Sequence, residues 1–262
     1  MSAQPAADMM DAIPVWGLFA IITVMIVVAE EIGWWLGSRR RSLCDQEQNP
    51  VSAMVGATLG LLAFVLAFTF GMAAERFEKR RQVIVDESNS IGTTWLRANM
   101  LPEHGPAIRR LLMDYVDLRV EVVRNKRLIE GVKQSDEILD RLWALATEVG
   151  RENPQSPIVA LFVQSLNETT DLHSKRIHYG FRSRIPGAIW WSLCAVAIAS
   201  LITLGYHGAL VARRRPIALF AVMVAFASIM GLIADLDRPL EGLLQVSQQS
   251  MIDLQSAMHA TP

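Results

Sequence analysis

The chain has 262 residues, of which 52% are hydrophobic and 19% are charged, a composition that favours a membrane protein. Its formal net charge is −1, so no basic excess points to a nucleic-acid partner. This average hides a segregation, because long uncharged apolar segments alternate with densely charged ones. Cys44 and Cys194 are far apart, and Cys194 lies in an apolar run, so we expect free thiols and not a disulfide.

Four apolar segments are each close to the roughly 20 residues that a helix needs to cross the core of a lipid bilayer. They run over Pro14–Trp35, Val51–Ala74, Gly187–Ala212 and Pro216–Ala234. No Lys or Arg precedes the first segment, so we expect it to be an anchor and not a cleavable signal peptide. Arginine triplets follow the first and third segments, which disfavours the alternative of helices buried in a soluble protein. The pattern predicts a multi-pass membrane protein.

The polar stretch between the two pairs of segments has the pattern of a helical bundle. The second transmembrane helix should continue into it without a break, because no proline intervenes before Pro102. Further helices are predicted from about Glu103, from Ser135 as an N-cap, and from Ser156. Each of them carries an apolar stripe at helical spacing, which indicates a water-soluble domain with its own core.

These patterns predict an all-α membrane protein built from four consecutive parts. The parts are the N-terminal tail with transmembrane helices 1 and 2, the central helical domain, transmembrane helices 3 and 4, and a C-terminal tail. Their predicted bounds are 1–74, 75–186, 187–235 and 236–262. Within the C-terminal tail we expect a short amphipathic helix over Leu243–Met258.

No constellation of residues predicts an enzyme, a cofactor or a metal site. None of the histidines belongs to a catalytic or zinc motif, and His173 and His178 lie on different sides of a helix. We interpret Asp86 and Glu87 as solvated helix charges. The second, third and fourth apolar segments have no carboxylate or histidine in their interiors, which disfavours ion-coupled transport. A passive pore, or a membrane-anchored scaffold or sensor, remains.

Gly60, Phe64 and Phe68 recur every four residues and share one face of the second transmembrane helix. Such a face can pack against another helix through its small residues, or its phenyl rings can form the hydrophobic constriction of a pore. The next turns carry a group of cations, namely Arg76, Lys79, Arg80 and Arg81. These cations can extend to the membrane interface, or they can form a vestibule that concentrates anions around an oligomer axis. The residues alone leave these alternatives open.

Two stretches resemble a known family. LLAFVLAFTFGMAAERFEKRR, at Leu61–Arg81, resembles the pore-lining second helix of bestrophins, in which an F-x-x-x-F neck precedes a basic and aromatic segment. ESNSIGTTWLRANMLP, at Glu87–Pro102, is similar to a bacterial family of bestrophin-like membrane proteins of unknown function. The order of two spans, a helical insert, two spans and a tail is also that of bestrophins. The resemblance implies a homo-oligomer, pentameric in bestrophins, that passes chloride or other small anions across the bacterial inner membrane.

By this resemblance, Phe64 and Phe68 take two neck positions, and Gly60 takes a third, where a bulky apolar residue is expected. This departure implies a neck that is wider at one end or lacks one layer. The acidic cluster that binds calcium in animal bestrophins is absent, so we expect no calcium gating. The acidic residues near its expected place are Asp235, Asp237 and Glu241.

Two indications about the orientation of the central domain conflict. By the positive-inside rule, the triplets Arg39–Arg41 and Arg213–Arg215 place the short loops in the cytoplasm and the domain outside. Eight basic residues flank the membrane on the domain side against six in the triplets, which weakens that indication. The resemblance implies a cytoplasmic domain, which we adopt. The alternative function is a non-conducting scaffold or sensor whose surface over Glu103–Arg151 binds a partner protein.

Overall fold

The computed structural model describes residues 13–40, 48–125, 127–211, 216–238 and 242–260. Over these residues the chain forms eight α-helices and one π-helical turn, so the predicted all-α class is confirmed. The helices are α1 (Val15–Arg40), α2 (Gln48–Ala98), α3 (Gly105–Arg124), α4 (Leu128–Glu152), α5 (Pro157–Ile177), α6 (Gly187–Leu210), α7 (Pro216–Asp237) and α8 (Gln249–Ala260), with the π turn at His178–Arg182. The predictions about the N-terminal tail, Arg41, Cys44, Arg213–Arg215 and Glu241 lie outside the described residues.

Four helices, α1, α2, α6 and α7, are long and apolar enough to cross a membrane. A helix satisfies each backbone N–H and C=O within its own segment, which the bilayer core requires because it offers no water as a partner. The predicted four transmembrane helices are therefore confirmed. Each predicted apolar segment overlaps one of these helices.

The helix α2 has 51 residues, which confirms that the second transmembrane helix continues well beyond its apolar segment. At a rise of about 1.5 Å per residue it extends about 75 Å, more than twice the thickness of a bilayer core. Residues 48–74 of α2 carry no charged side chain, so we assign the membrane crossing to the apolar stretch 51–74 and the part of α2 that follows the crossing to the polar domain. The helix ends at Ala98, ahead of Pro102.

The chain divides into two compact units, each with its own core. The membrane unit comprises Met1–Phe77 and Arg184–Gln245, and the helical unit comprises Glu78–Ser183 and Val246–Pro262. The sequence prediction treated 236–262 as a separate tail. In the structure α8 belongs to the helical unit, where Met251 and Met258 are buried in its core. Their spacing of seven residues places both on the face of α8 that packs against α3.

Two helix starts differ from the sequence prediction. The helix α4 begins at Leu128, and Ser135 lies buried inside it and donates a hydrogen bond to the Gly131 carbonyl over 2.7 Å. The prediction of Ser135 as an N-cap is therefore wrong, because a serine hydroxyl can also bond within its own helix. The helix α8 begins at Gln249 and not at Leu243. The helix α5 starts next to Ser156 as predicted, and the Ser156 hydroxyl caps it by accepting from the Val159 N–H over 3.4 Å.

Glycines let α1 and α6 approach each other closely inside the membrane unit. A Cβ atom added at Gly33 would lie 2.1 Å from the Ile202 carbonyl oxygen, and one added at Gly205 would lie 2.2 Å from the Glu30 carbonyl oxygen. Gly37, one turn after Gly33, also faces backbone of α6. In lipid, such packing contributes to helix association because the hydrophobic effect does not draw the helices together.

We predict that Gly33→Ala destabilises the membrane unit by about 1–3 kcal/mol, because the added methyl group overlaps the backbone of α6. The matched control is Gly150→Ala in α4, where an added Cβ meets no atom within 4 Å. Alanine favours a helix by about 1 kcal/mol over glycine, so this control should be neutral or slightly stabilising. Thermal unfolding in detergent measures both variants. Equal unfolding midpoints for the two variants would contradict the close contact.

Candidate functional site

The three predicted neck residues lie on one exposed face of α2 in the membrane unit. The side chains of Phe64 and Phe68 are 70% and 64% exposed, and a Cβ added at Gly60 would meet no atom within 4 Å. On the opposite face, Leu62 and Leu66 are buried in the core of the unit. Among the described residues, the phenyl pair therefore does not serve packing within one chain. In a membrane, such a face is left to lipid, to another copy of the chain or to a pore.

The same stripe continues to Gly71 and Glu75, which the sequence analysis did not single out. They lie seven and eleven residues after Phe64, and on an α-helix both positions fall within about 20° of the same direction. Both residues are exposed, and a Cβ added at Gly71 would meet no atom within 4 Å. The stripe therefore carries two phenyl rings between two open glycine positions and then a carboxylate. Extending the helical register by three turns would have identified Glu75 from the sequence.

The structure does not place the four predicted vestibule cations on one face. Arg80 is only 5% exposed, and Arg76 is half-buried. Lys79 and Arg81 are exposed, but they are two residues apart and so point about 160° away from each other around the helix. The guanidinium of Arg81 lies 3.5 Å from the carboxylate of Glu78, which is also exposed. The exposed charge of this segment is consequently mixed.

A buried ionic cluster lies in the helical unit around Glu87. The Glu87 side chain is fully buried, so its interpretation as a solvated charge is wrong. Its carboxylate accepts hydrogen bonds from the Tyr115 hydroxyl over 2.7 Å and from Arg176 over 2.5 Å, and Arg119 lies 3.5 Å away. The neighbouring Asp86 remains partly exposed. Two consecutive residues of α2 thus differ in environment, because a step of about 100° around the helix axis moves the side chain from the partly exposed side to the side that other helices cover.

Opposite effects act on the carboxylic acid of Glu87. Burial raises its pKa, but the guanidinium groups of Arg176 and Arg119 and the hydrogen bonds from Arg176 and Tyr115 lower it more strongly, to about 2. Glu87 is therefore ionised at neutral pH. The sequence carries a signal for its partners, because Tyr115 and Arg119 are four residues apart and His173 and Arg176 are three apart. Each pair places polar groups on the buried side of its helix.

His173 extends the cluster toward α4. Its Nδ1 lies 2.9 Å from the Tyr115 hydroxyl, and its Nε2 lies 3.0 Å from an Asp136 carboxylate oxygen. Burial and the charge of Arg119 lower the pKa of His173, against the opposing effects of Glu87 and Asp136. A neutral imidazole has one N–H, so it and the phenol supply two protons for three contacts. Since the Tyr115 hydroxyl donates to Glu87, the single imidazole N–H of His173 can donate either to Tyr115 or to Asp136.

The two acidic residues near the expected calcium-binding place bind backbone amides within the membrane unit. The carboxylate oxygens of Asp235 accept from the N–H groups of Leu243 and Leu244 over 2.8 Å and 3.0 Å. Asp237 accepts from the Ile185 N–H over 2.9 Å. These carboxylates therefore fix the chain where it enters α6 and leaves α7.

Comparisons with known proteins identify the fold and the family. A family model described as a bestrophin-like domain matches residues 23–251. A mutant of a bacterial bestrophin homolog from Klebsiella pneumoniae matches with a TM-score of 0.66 and 15% identity over 94% of this chain and 98% of that chain. A second mutant of that homolog matches with a TM-score of 0.64 and 17% identity over 93% of this chain and 97% of that chain. A structure described only as a membrane protein matches with a TM-score of 0.63 and 16% identity over 92% of this chain and 95% of that chain. No curated protein matches the chain.

We predict that Glu87→Gln destabilises the helical unit by about 3–5 kcal/mol, because two guanidinium groups lose their buried counter-charge. Asp86→Asn is the matched control and should change stability by about 0.5 kcal/mol or less. The folded pKa of about 2 lies below the ordinary value of 4.5. The contribution of Glu87 is thus complete above about pH 4.5 and is lost as the pH falls toward 2. The stability difference between wild type and Glu87→Gln, measured by thermal unfolding, should shrink over that window. A constant difference would contradict the ionised cluster.

Proposed function

The chain belongs to the bestrophin-like family, and from this premise we propose that it is a passive ion channel with Phe64 and Phe68 as its constriction. It is a multi-pass membrane protein with the fold of the bacterial bestrophin homologs. The exposed phenyl pair on an uncharged stretch of α2 is the observation that carries the proposal. In a closed ring of identical subunits, the same face of every copy can line one axis.

The physical basis of the proposed constriction is the cost of removing an ion from water. A collar of phenyl rings offers no polar group to replace the hydration shell, so a narrow collar excludes both water and ions. Gly60 and Gly71 lie on the same face before and after the phenyl pair and have no side chain to narrow the path. The barrier would therefore be confined to the two layers of phenyl rings.

We infer that the conducted ion is a small anion such as chloride, as the family resemblance implies. Lys79 and Arg81 are the exposed cations that would attract it. The exposed carboxylates Glu75 and Glu78 favour a second candidate, the passage of cations. Glu75 weighs more in this respect because it lies on the stripe of the phenyl rings. The proposed activity needs no cofactor and no catalytic residue.

We further propose that the protein is a homo-oligomer, a pentamer by resemblance, in the bacterial inner membrane with the helical unit in the cytoplasm. The apolar surface that the membrane unit exposes supports oligomerisation in the bilayer, because it has to be covered by lipid or by other copies. A protein whose helical unit only binds a partner would need no path for ions. The flux measurement below separates that scaffold alternative from the channel.

For the proposed channel, we predict that Phe64→Ala with Phe68→Ala raises the ion flux through the reconstituted protein, because two apolar layers of the constriction become wider and better hydrated. Chloride flux from liposomes with purified protein measures this effect, and we expect an increase of at least severalfold over wild type. The matched control is Phe220→Ala in α7, whose ring is 68% exposed but lies on another helix. Its flux should equal that of wild type.

Two outcomes would contradict the channel. If wild type and the double variant both leak as little as empty liposomes, the chain does not conduct and the scaffold alternative holds. An equal rise in the Phe220→Ala control would show that the loss of any exposed phenyl ring makes the vesicles leak. Size-exclusion chromatography confirms that all variants keep the same assembly.

A separate prediction concerns the selectivity of the proposed channel for anions over cations. Lys79→Glu with Arg81→Glu should move the reversal potential in a salt gradient toward that of cations, because the attraction for anions is replaced by repulsion. Glu75→Gln with Glu78→Gln should move it in the opposite direction. Lys133→Glu, an exposed position in α4, serves as the control and should cause no shift. If neither double variant shifts the potential, the exposed charges of α2 do not face the ion path.

A further inference from the structure

Three side chains with metal-ligating groups meet at one end of the helical unit, apart from the cluster around Glu87. Glu103, His104 and Glu152 each offer one ligand atom, and these atoms all lie within 4.8 Å of one another. The Nε2 atom of His104 is 2.9 Å from a carboxylate oxygen of Glu152. The sequence analysis found no metal motif here, because Glu152 is separated from the other two by the whole of α3 and α4.

The turn that carries Glu103 and His104 is held firmly in place. Leu101 is buried in the core of the helical unit, and a Cβ added at Gly105 would lie 2.5 Å from the Ala98 carbonyl oxygen. His104 occupies the N-cap position of α3, where a polar side chain commonly accepts a bond from the helix backbone. It makes no such bond, and its ring instead meets Glu152 at the end of α4.

The charges at this position are unbalanced. Two carboxylates lie within reach of each other, and in the described part of the chain neither of them forms an ion pair with a lysine or arginine. The exposed pair of His259 and Asp117 differs, because Gln255 also donates to the Asp117 carboxylate over 2.8 Å. Two neighbouring carboxylates and an imidazole are a donor set that a divalent cation would stabilise.

We propose that Glu103, His104 and Glu152 bind a divalent transition-metal ion of the zinc class. Imidazole nitrogen and carboxylate oxygen bind Zn²⁺ at about 2.0–2.2 Å, which places neighbouring ligands of a tetrahedral site about 3.3 Å apart. The observed spacing, from 2.9 Å to at most 4.8 Å, brackets this value. Both glutamates are exposed, so their side chains can rotate to close the site, and water completes the fourth position. A bound ion would link the turn after α2 to the end of α4.

The test uses the full chain in detergent, stripped of metal with a chelator and titrated with zinc chloride by calorimetry. We expect one such site per chain, and His104→Ala should weaken its affinity at least tenfold. The matched control is His259→Ala, which removes the histidine of a two-residue pair and should leave the affinity unchanged. Magnesium chloride should not compete, because Mg²⁺ prefers six oxygen ligands.

A second measurement separates metal binding from folding. Zinc should raise the thermal unfolding midpoint of wild type, since a ligand that binds only the folded state stabilises it. Glu103→Gln should abolish most of this rise. Among the described residues, no hydrogen bond or ion pair of Glu103 holds the fold, so its midpoint without metal should match wild type. The proposal is overturned if wild type binds no zinc, or if His104→Ala and His259→Ala bind it equally.

Discussion

The uninterrupted course of α2 is the constraint on which the rest of the structure depends. A helix of 51 residues has a side that its own unit covers and a side that it leaves exposed. In the membrane unit the covered side includes Leu62 and Leu66, and in the helical unit it includes Glu87 and Ile91. The stripe with Phe64 is part of what remains exposed on the membrane segment. The candidate site therefore lies on residues of α2 that packing within the single chain leaves uncovered.

The two units are stabilised by different forces because their surroundings differ. In the membrane unit the glycines at positions 33, 37 and 205 bring backbones into contact. Such close packing contributes to stability there because apolar side chains gain little free energy by exchanging lipid for one another. The helical unit has an ordinary apolar core, and beside it the carboxylate of Glu87 is paired with two arginines. Burying these charges has a cost in desolvation free energy. The ion pairs and hydrogen bonds offset this cost only when all of the partners are in place. The cluster thus specifies one arrangement of α2, α3 and α5.

Much of the fold could be predicted from the sequence. The four apolar segments, the continuation of α2 into the polar domain and the opening of α5 at Ser156 follow from composition and local patterns, and these predictions are confirmed. The start of α4 was wrong because a serine inside a helix gives the same local signal as a serine before it. The family could be identified from two short stretches, of which Glu87–Pro102 packs Ile91 and Trp95 into the core.

The sequence by itself determined which residues could form a face on α2, since Phe64 and Phe68 are one helical turn apart whatever surrounds them. Only the tertiary structure decided that this face is exposed, that Arg80 is buried, and that Glu87 lies between two guanidinium groups. It also decided that Glu152 meets His104. The physical reason is that periodicity fixes directions around a single helix axis. Burial and charge pairing depend on other helices, whose positions no local pattern records.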